Sequence, residues 1–256
     1  MLLLGIEFFH ANLELVSNFS GKLFFSLTST ELNDGCDLYQ HKVVNISWLG
    51  HDGFKIEDGG EVLVIDPFKL KHDVKADYVL ISHEHYDHCS PEDLKKVVKP
   101  NLTTVVAISS CRDEVSKASP KEIKIVKPGD HVKIGSFDVK VVPAYNTNKF
   151  AQPGKVFHPK QDGKAGYIVT TKSGLSIYHT GNSDLIPEME NLNPEIALLP
   201  VSGTYVMTVD EAIEAVSKIK PKIAIPMHYG AIVGSEKDAE KFKKGAKTEV
   251  HILTVD

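Results

Sequence analysis

Three histidines and two carboxylates crowd residues 83–88, whose sequence is HEHYDH. Neutral imidazole is a good ligand for zinc, manganese, iron and nickel. His83 and His85 project the same way if the backbone stays extended, because side chains alternate along a strand. Asp87 and His88 then leave the turn on the other side, which suits two metal ions about 3.5–4 Å apart. A polar loop with surface histidines is the alternative, although three crowded imidazoles would repel one another if charged.

The flanking residues place this segment between a strand and a helix. The apolar run at residues 78–81 predicts a short buried strand that ends just before the first histidine. Ser90 is a suitable N-cap, and Pro91 with the acids that follow it suits the first turn of a helix over about residues 91–98. A rigid strand end aims side chains accurately, so we expect residues 83–88 to form part of a site.

Other candidates follow further predicted strand ends. An apolar strand at residues 223–225 ends shortly before His228, and a strand at residues 175–178 ends before His179. Tyr205 lies in the loop after a third strand. We interpret His228 as a metal ligand, and we interpret His179 and Tyr205 as residues that support a ligand or contact the substrate.

Residues 145–165 form a long loop that is poor in strand-forming residues. A loop of this length inside a compact domain usually has a function or is mobile. His158 within it is predicted to bind metal or substrate, because loops carry sites disproportionately, and an exposed loop histidine is the alternative. Lys149 and Lys160 would attract an anionic substrate or would simply be solvated.

Several ordered motifs together resemble the metallo-β-lactamase superfamily, whose signature is HxHxDH. They are Gly50-His51, Ile65-Asp66-Pro67, the block at residues 83–88, VPAYNTNK at 142–149, YHTG at 178–181 and PMHY at 226–229. The likeness is closer to a group of uncharacterised metal-dependent hydrolases within it. That group is related to ascorbate-phosphate lactonases and to N-acyl-phosphatidylethanolamine phospholipase D. The resemblance runs from about Asn45 to the C-terminus.

The resemblance implies an αββα sandwich of two mixed sheets, with a hydrolase domain at residues 44–256. Independently of the resemblance, the order of predicted strands and helices supports an α/β protein with mixed sheets. Residues 1–43 precede the usual start of the family pattern. We predict an N-terminal extension there, as an added pair of strands, a capping hairpin or a tail.

The resemblance also implies roles for residues around the ligands. Asp66 would hold a ligand histidine from behind, a function that metal-binding histidines usually require, and a surface turn aspartate is the alternative. His51 would support a ligand in the same way. Other family branches carry a metal-binding histidine where Asn146 stands, so Asn146 is a candidate for contact with metal or substrate. His158 could supply the missing histidine from the loop.

Asn182 departs from the family pattern. The residue after the YHTG motif is normally an aspartate whose carboxylate bridges both metals. Asparagine has nearly the same shape but no negative charge and only one good acceptor oxygen. Three explanations are open: weak binding of the second ion, an inactive relative or disabled variant, or deamidation of Asn182 to aspartate. Asp184 follows two residues on, and its direction is open.

Composition narrows the class of protein. The 256 residues are 42% apolar and 25% charged, as in an ordinary globular protein, with a net charge of −5. Arg112 is the single arginine, so arginine readout of guanine or phosphate is nearly absent and a nucleic-acid partner is disfavoured. Three scattered cysteines favour a reducing cytoplasm over a disulfide framework. The sequence lacks a run of about 20 apolar residues, so we expect no membrane span.

The sequence therefore predicts a metal-dependent hydrolase of a small molecule, which is anionic if the loop lysines face it. A homo-oligomer is compatible with the composition. The expected substrate bond is an ester, lactone or phosphodiester, attacked by a metal-activated water. One or two divalent ions, with zinc preferred over manganese, iron or nickel, would be held by His83, His85, Asp87, His88, Asn182 and His228. Asp87 and His228 are the predicted catalytic residues. The alternative is a catalytically impaired metal-binding or ligand-sensing protein on the same fold.

Overall fold

The computed structural model describes residues 12–19, 22–33 and 36–256. The predicted N-terminal extension thus lies partly outside the described residues, including the apolar start of the chain. Its described part forms strands that pair within the first sheet. The proposed domain boundary at residue 44 falls inside a strand, Cys36–Gly50, and stays a prediction.

The first sheet runs in chain order across eight strands of the described residues. They are β1 (Asn12–Phe19), β2 (Lys22–Asn33), β3 (Cys36–Gly50), β4 (Gly53–Asp58), β5 (Glu61–Ile65), β6 (Tyr78–Ile81), β7 (Thr104–Ala107) and β8 (Glu122–Ile125). Pairing is antiparallel from β1 to β5 and parallel from β5 to β8. The sheet is mixed because short turns connect its first half and longer crossovers its second half.

The second half of the chain supplies a seven-stranded sheet and a small hairpin. The strands are β9 (His131–Ile134), β10 (Phe137–Pro143), β11 (Phe150–Gln152), β12 (Lys155–Val156), β13 (Ala165–Thr170), β14 (Ser176–His179), β15 (Ile196–Pro200), β16 (Ile223–Met227) and β17 (Glu249–Val250). The sheet order is β17-β16-β15-β14-β13-β10-β9, and β11 pairs with β12 in a separate two-stranded sheet. It is also mixed, antiparallel from β9 to β14 and parallel from β14 to β17.

The helices occur mainly between parallel strands. They are α1 (Pro91–Val97), α2 (Arg112–Ser116), α3 (Val209–Ile219) and α4 (Glu236–Gly245), with short 3₁₀ turns at Ser109–Cys111, Lys160–Asp162 and Pro187–Met189. The predicted cap of α1 is present, since Ser90 accepts a hydrogen bond from the Asp93 backbone. Thr208 and Glu211 form a capping box at the start of α3. Among the helices of the described residues, none has the length and apolar composition that a membrane crossing requires.

Buried apolar residues from both sheets form one continuous core. Phe54 and Ile56 from β4 belong to it together with Tyr167 from β13 and Ile177 from β14. The Tyr167 hydroxyl also donates a hydrogen bond across the core to the Ile81 carbonyl, at 2.6 Å. Two mixed sheets thus pack together with helices around them, and the predicted αββα class of fold is confirmed.

Two parts of the chain differ from the pattern expected from the sequence. The loop at 145–165 contains the hairpin β11–β12, whose residues are mostly exposed and give little apolar signal. The last strand, expected at residues 251–255, is found instead at β17, which pairs with β16. Val255 forms an isolated β-bridge with Trp48 of the first sheet. The end of the chain therefore connects the two sheets.

Candidate metal centre

Strand ends from both sheets bring the candidate residues together. Residues 83–88 follow β6, Asp66 follows β5, His51 follows β3, Asn182 lies beyond β14 and His228 follows β16. His51, Asp66 and His228 have left-handed backbone, with φ of 51°, 41° and 59°. Such strain costs about 1–3 kcal/mol per residue and is concentrated at functional sites. The His228 amide donates to the His51 carbonyl at 3.0 Å, so two of the strained residues hold each other.

Two adjoining groups of side chains could each hold an ion. One group comprises His83, His85 and His158, and the other comprises His51, Asp87, His88 and His228. Within each group the potential ligand atoms lie within 4.8 Å of one another. The groups adjoin, because the His83 and His88 ring centroids are 4.0 Å apart. The structure therefore brings together the predicted ligands from residues 83–88 and the two distant histidines.

Five imidazole nitrogens of the described residues are buried in these groups without a hydrogen-bond partner. They are Nδ1 of His51 and the Nε2 atoms of His83, His88, His158 and His228. A buried polar atom without a partner costs free energy, so each one calls for a ligand. The other nitrogen of each ring is held by a protein group: Nδ1 in the four rings with a free Nε2, and Nε2 in His51. Metal-binding histidines have this arrangement, because the bond at one nitrogen orients the other.

Asp66 supports two of these rings. Its buried carboxylate accepts hydrogen bonds from the Ser82 amide at 2.8 Å, from the Ser82 hydroxyl and from His88 Nδ1 at 2.9 Å. The Ser82 hydroxyl has one proton and gives it to Asp66, so His83 Nδ1 must donate to that hydroxyl, 2.9 Å away. Both rings then carry a proton on Nδ1, and Nε2 is the nitrogen left for a ligand.

Asn146 orients His158. Its Nδ2 atom donates to Asp184 Oδ1 at 3.1 Å and to the Tyr205 carbonyl at 2.8 Å, which turns Oδ1 towards the histidine. Oδ1 accepts from the His158 amide at 2.9 Å and from Nδ1 at 2.8 Å. Both polar atoms of Asn146 are thus engaged within the protein, whereas His158 leaves Nε2 free. The loop histidine, not Asn146, presents a ligand atom.

Ser202 orients His228 in the same manner. Its hydroxyl donates to the Thr204 carbonyl at 3.3 Å and so accepts from His228 Nδ1 at 3.0 Å. Neither this serine nor Ser82 was assigned a role from the sequence. A lone serine in a loop has no spacing signal, and the identity of the ring that it contacts depends on the fold.

His51 orients Asp87. Its Nε2 atom lies 3.0 Å from Asp87 Oδ2, and the His51 ring is buried. Burial raises the pKa of Asp87, but the hydrogen bond from His51 and the nearby charge of His88 outweigh burial and hold the pKa below its usual range. Asp87 is therefore an ionised carboxylate at neutral pH, as a metal ligand or proton acceptor must be.

Burial keeps three of the free rings neutral. It is the main cause that lowers the pKa of His83 and His228 well below the usual value of 6.5, and it lowers the pKa of His158 to about 3. His88 behaves differently. Burial lowers its pKa, but the hydrogen bond to Asp66 and the surrounding carboxylates outweigh burial and raise it to about 9. An ion that binds His88 Nε2 therefore displaces a proton.

His85 is the most exposed of the candidate ligand rings, with 42% of its side chain accessible. A buried lysine, Lys164, lies 3.4 Å from His85 Nε2 and donates to Glu84 Oε1 at 2.7 Å. Burial raises the pKa of Glu84, but the hydrogen bond from Lys164 outweighs it and lowers the pKa to about 2. Glu84, which lies between the candidate ligands His83 and His85, thus forms a salt bridge with the residue just before β13. Lys164 was not singled out from the sequence.

His179 and Tyr205 do not present ligand atoms like those of the four free rings. Both ring nitrogens of His179 are hydrogen-bonded within the protein, and the Tyr205 side chain is exposed. The His179 Nε2 atom bonds to the Asp52 carbonyl at 2.9 Å, and its Nδ1 accepts from the Gly181 amide at 3.1 Å. His179 therefore shapes the turn before Asn182. Tyr205 has a left-handed backbone, with φ of 67°, and lines the cavity beside the ligands.

Asn182 and Asp184 have different surroundings. Asn182 lines the same cavity as the ligands, and its buried Oδ1 has no partner among the described residues. Asp184 is fully buried, and its carboxylate accepts from the Thr147 amide at 2.7 Å and the Asn148 amide at 2.9 Å, with Lys149 Nζ at 3.2 Å. Asp184 thus fastens the loop that carries Asn146 and does not replace the missing carboxylate.

Removing the Asp184 carboxylate is expected to destabilise the fold and this loop. We predict that Asp184→Ala lowers the free energy of unfolding by about 3 kcal/mol, because the buried Asn146 side-chain amide and the backbone amides of Thr147 and Asn148 lose their acceptor. Urea unfolding in the presence of a chelator measures this without a contribution from metal. Asp113→Ala, at an exposed helix position, is the matched control and should change it by less than about 0.5 kcal/mol. Equal effects of the two substitutions would contradict the assignment.

The ligand groups open into a cavity of about 290 Å³. Its lining residues are His51, His85, Tyr86, Asp87, Phe157, His158, Asn182, Tyr205, His228, Ile232 and Val233. Two of the histidines with a free Nε2, His158 and His228, thus line one cavity together with the ionised Asp87 and with Asn182. That combination suits hard or borderline divalent cations and a small molecule bound beside them.

Comparison with known proteins agrees with this geometry. Residues 45–228 match the beta-lactamase superfamily domain. The chain is 32% identical to a UPF0173 metal-dependent hydrolase of Methanopyrus kandleri, over 82% of this chain and 96% of that protein. It is 35% identical to a UPF0173 metal-dependent hydrolase of Thermoplasma acidophilum, over 80% of this chain and 92% of that protein.

Solved structures share the architecture. A crystal structure from Parabacteroides distasonis is 31% identical, with a TM-score of 0.69, and the match covers 84% of this chain and 95% of that chain. A metallo hydrolase from Ignicoccus hospitalis is 21% identical, with a TM-score of 0.65, over 82% of this chain and 94% of that chain. The second likeness concerns the fold alone.

Proposed function

The chain belongs to the beta-lactamase superfamily, with metal-dependent hydrolases among its relatives, and from that premise we propose how its site works. The proposed reaction is hydrolysis of an ester, lactone or phosphodiester bond in a small molecule. The single observation that carries the proposal is the set of four buried Nε2 atoms without partners, each on a ring held at Nδ1. Metal loading tests it: zinc should bind, and a chelator should remove both the metal and the activity.

The residues fit a pair of divalent ions. One ion would be held by His83, His85 and His158. The other would be held by Asp87, His88 and His228, from the group that also contains His51. Asn182 Oδ1, also buried without a partner in the described chain, would contribute to either ion. Three imidazoles are a familiar zinc set, and imidazoles with a carboxylate also accept manganese or iron, so zinc is the preferred ion.

The ions and the chain have separate tasks. A bound divalent ion lowers the pKa of a water molecule to about 7 and polarises the oxygen that gains charge. The chain supplies the orientation: His51 fixes Asp87, and Asp87 accepts a proton or holds the attacking water in position. His228 completes the ligand set, with its ring direction set by Ser202. The other side chains that line the cavity restrict the access of water and bind the substrate.

Asn182 gives the proposal a quantitative test. We predict that Asn182→Asp increases the affinity for the more weakly bound zinc at least about tenfold, because the ligand set gains a negative charge and a second acceptor oxygen. Titration of the chelator-stripped protein with zinc measures both affinities. Asn101→Asp makes the same change at an exposed turn and should leave them unaltered. Unchanged affinities in both variants would mean that Asn182 does not face an ion.

The same substitution separates the enzyme from the impaired alternative. Asn182 motivates the alternative, a protein that binds metal or senses a ligand without turnover. If the natural chain is an active hydrolase, it turns over at least one ester, lactone or phosphodiester when loaded with metal. Turnover that appears only in Asn182→Asp would support the impaired version. The unpartnered ligand atoms fit both versions, whereas the kinship with metal-dependent hydrolases favours the enzyme.

A reducing compartment such as the cytoplasm suits the cysteines. Cys89 and Cys111 are buried and free in the described part of the chain. The hydrogen bond between their side chains, followed by burial, raises the pKa of the Cys111 thiol. That thiol is therefore protonated, and neither cysteine belongs to the groups of potential metal ligands among the described residues.

A further inference from the structure

The cavity wall beyond the candidate ligands is apolar. It is formed by Tyr86, Phe157, Tyr205, Ile232 and Val233. Four of these side chains are among the exposed large apolar residues, with Tyr86 at 65%, Phe157 at 36%, Tyr205 at 38% and Ile232 at 40%. Exposed apolar side chains that cluster around a cavity indicate a binding surface, because burying them against a ligand is favourable.

Aromatic pairs hold this wall in place. The Phe157 and Tyr205 rings meet edge to face with centroids 4.7 Å apart, and Phe68 and Tyr86 do so at 5.7 Å. Such pairs contribute about 0.5–1.5 kcal/mol beyond the area that they bury. One pair includes a neighbour of His158, and the other includes a residue of the 83–88 segment. The apolar surface is therefore supplied beside both groups of ligands and is preformed.

The loop lysines are engaged away from the cavity. Lys149 Nζ lies 2.7 Å from Glu211 and 3.2 Å from Asp184, and Lys160 Nζ lies 2.6 Å from Glu188. Neither lysine lines the cavity, and no other lysine or arginine of the described residues does so. Sites for phosphate or carboxylate groups usually present such cations. Lys149 and Lys160 therefore give no reason to expect an anionic substrate.

We propose that the cavity takes a neutral substrate with an aromatic or compact aliphatic group beside the bond that is hydrolysed. Phe157 and Tyr205 are the specificity-determining residues, because they form the wall next to His158. The proposal rests on the proposed function, since it assumes that the ligand groups bind the oxygen of the scissile group. A volume of about 290 Å³ suits a ring with a short chain and is small for a two-chain lipid.

Three hydroxamates test the wall independently of turnover. Acetohydroxamate, benzohydroxamate and a ring-carboxylated benzohydroxamate share the same metal-binding head and differ only in the group that meets the wall. Calorimetric titration of the zinc-loaded protein gives each Kd. Benzohydroxamate is expected to bind at least about tenfold more tightly than acetohydroxamate, because its ring is buried against the aromatic wall. The carboxylated compound is expected to bind no more tightly than benzohydroxamate, because the wall carries no cation.

Variants of the wall assign the preference to particular residues. Phe157→Ala and Tyr205→Ala are each expected to reduce the preference for benzohydroxamate to about threefold or less, with acetohydroxamate binding unchanged. Phe157→Leu keeps an apolar side chain and retains most of the preference. Leu102→Ala removes an exposed apolar side chain that does not line the cavity and serves as the control.

The outcomes separate this inference from the function on which it rests. Equal binding of acetohydroxamate and benzohydroxamate would overturn the apolar assignment. A carboxylated compound that binds tenfold more tightly would overturn the neutral one and restore an anionic substrate. A preference that survives in both alanine variants would exclude Phe157 and Tyr205 as its source. If no hydroxamate binds and no zinc is retained, the proposed metal centre itself is wrong.

Discussion

Replacing His158 with alanine is expected to cost the protein one of its two metal ions. The substitution removes one of the three histidines in its ligand group, and no carboxylate belongs to that group. Loss of a supporting residue alone typically lowers metal affinity 10–100-fold, so loss of a direct ligand should lower it by more than about 100-fold. Elemental analysis after dialysis should fall from about two zinc ions per chain to about one.

A control histidine distinguishes loss of a ligand from loss of any imidazole. His131 is exposed and paired with Asp138 on the surface, so His131→Ala should retain the full zinc content. Asn146→Ala should have an intermediate effect, because His158 remains but loses the acceptor that orients its ring. If His158→Ala keeps both ions with unchanged affinity, the loop histidine is not a ligand, and the expectation from the geometry fails.

Replacing Asp66 with asparagine is expected to weaken both metal binding and the fold. The carboxylate accepts from the Ser82 amide, the Ser82 hydroxyl and His88 Nδ1, and an amide nitrogen at the same place would face donors. Zinc affinity should fall 10–100-fold, the usual effect of losing a group that orients a ligand. The chelated protein should lose about 2–3 kcal/mol of unfolding free energy, because a buried donor is left without an acceptor.

The chain offers a matched aspartate–histidine pair for comparison. Asp138 accepts from His131 Nε2 at the surface, with 41% and 56% of the two side chains exposed. Asp138→Asn should change the unfolding free energy by less than about 1 kcal/mol and leave zinc binding as it was, since exposed pairs contribute little. Comparable losses in the two variants would show that Asp66 has no special relation to the ligands.

Local sequence signals predicted the positions of those site residues that directly follow a strand or precede a helix. The HEHYDH block lies after β6 and before α1 because an apolar run and a serine cap bound it, and both are visible in the sequence. His228 follows a strand for the same reason. These residues converge because β6 and β16 belong to two sheets that pack together, so that strand ends from both sheets reach the same site. That residues after strands so distant in the chain belong to one site was expected from the family resemblance.

The remaining features depend on contacts between distant segments. His158 presents Nε2 only because Asn146, Asp184 and Tyr205 fix its surroundings, and none of them has a diagnostic spacing from it. The sequence therefore left open whether Asn146 or His158 would face an ion. Lys149 and Lys160 read as free charges in the sequence, but carboxylates from later segments pair with them. Pairing of this kind depends on tertiary packing.

Anomalous X-ray scattering from crystals of the zinc-loaded protein locates the ions relative to the four free Nε2 atoms. We expect one peak within about 2.0–2.1 Å of Nε2 of His83 and His158, and a second peak at the same distance from Nε2 of His88 and His228. Zinc located elsewhere, or these four rings turned away from one another with no peak between them, would contradict this expectation.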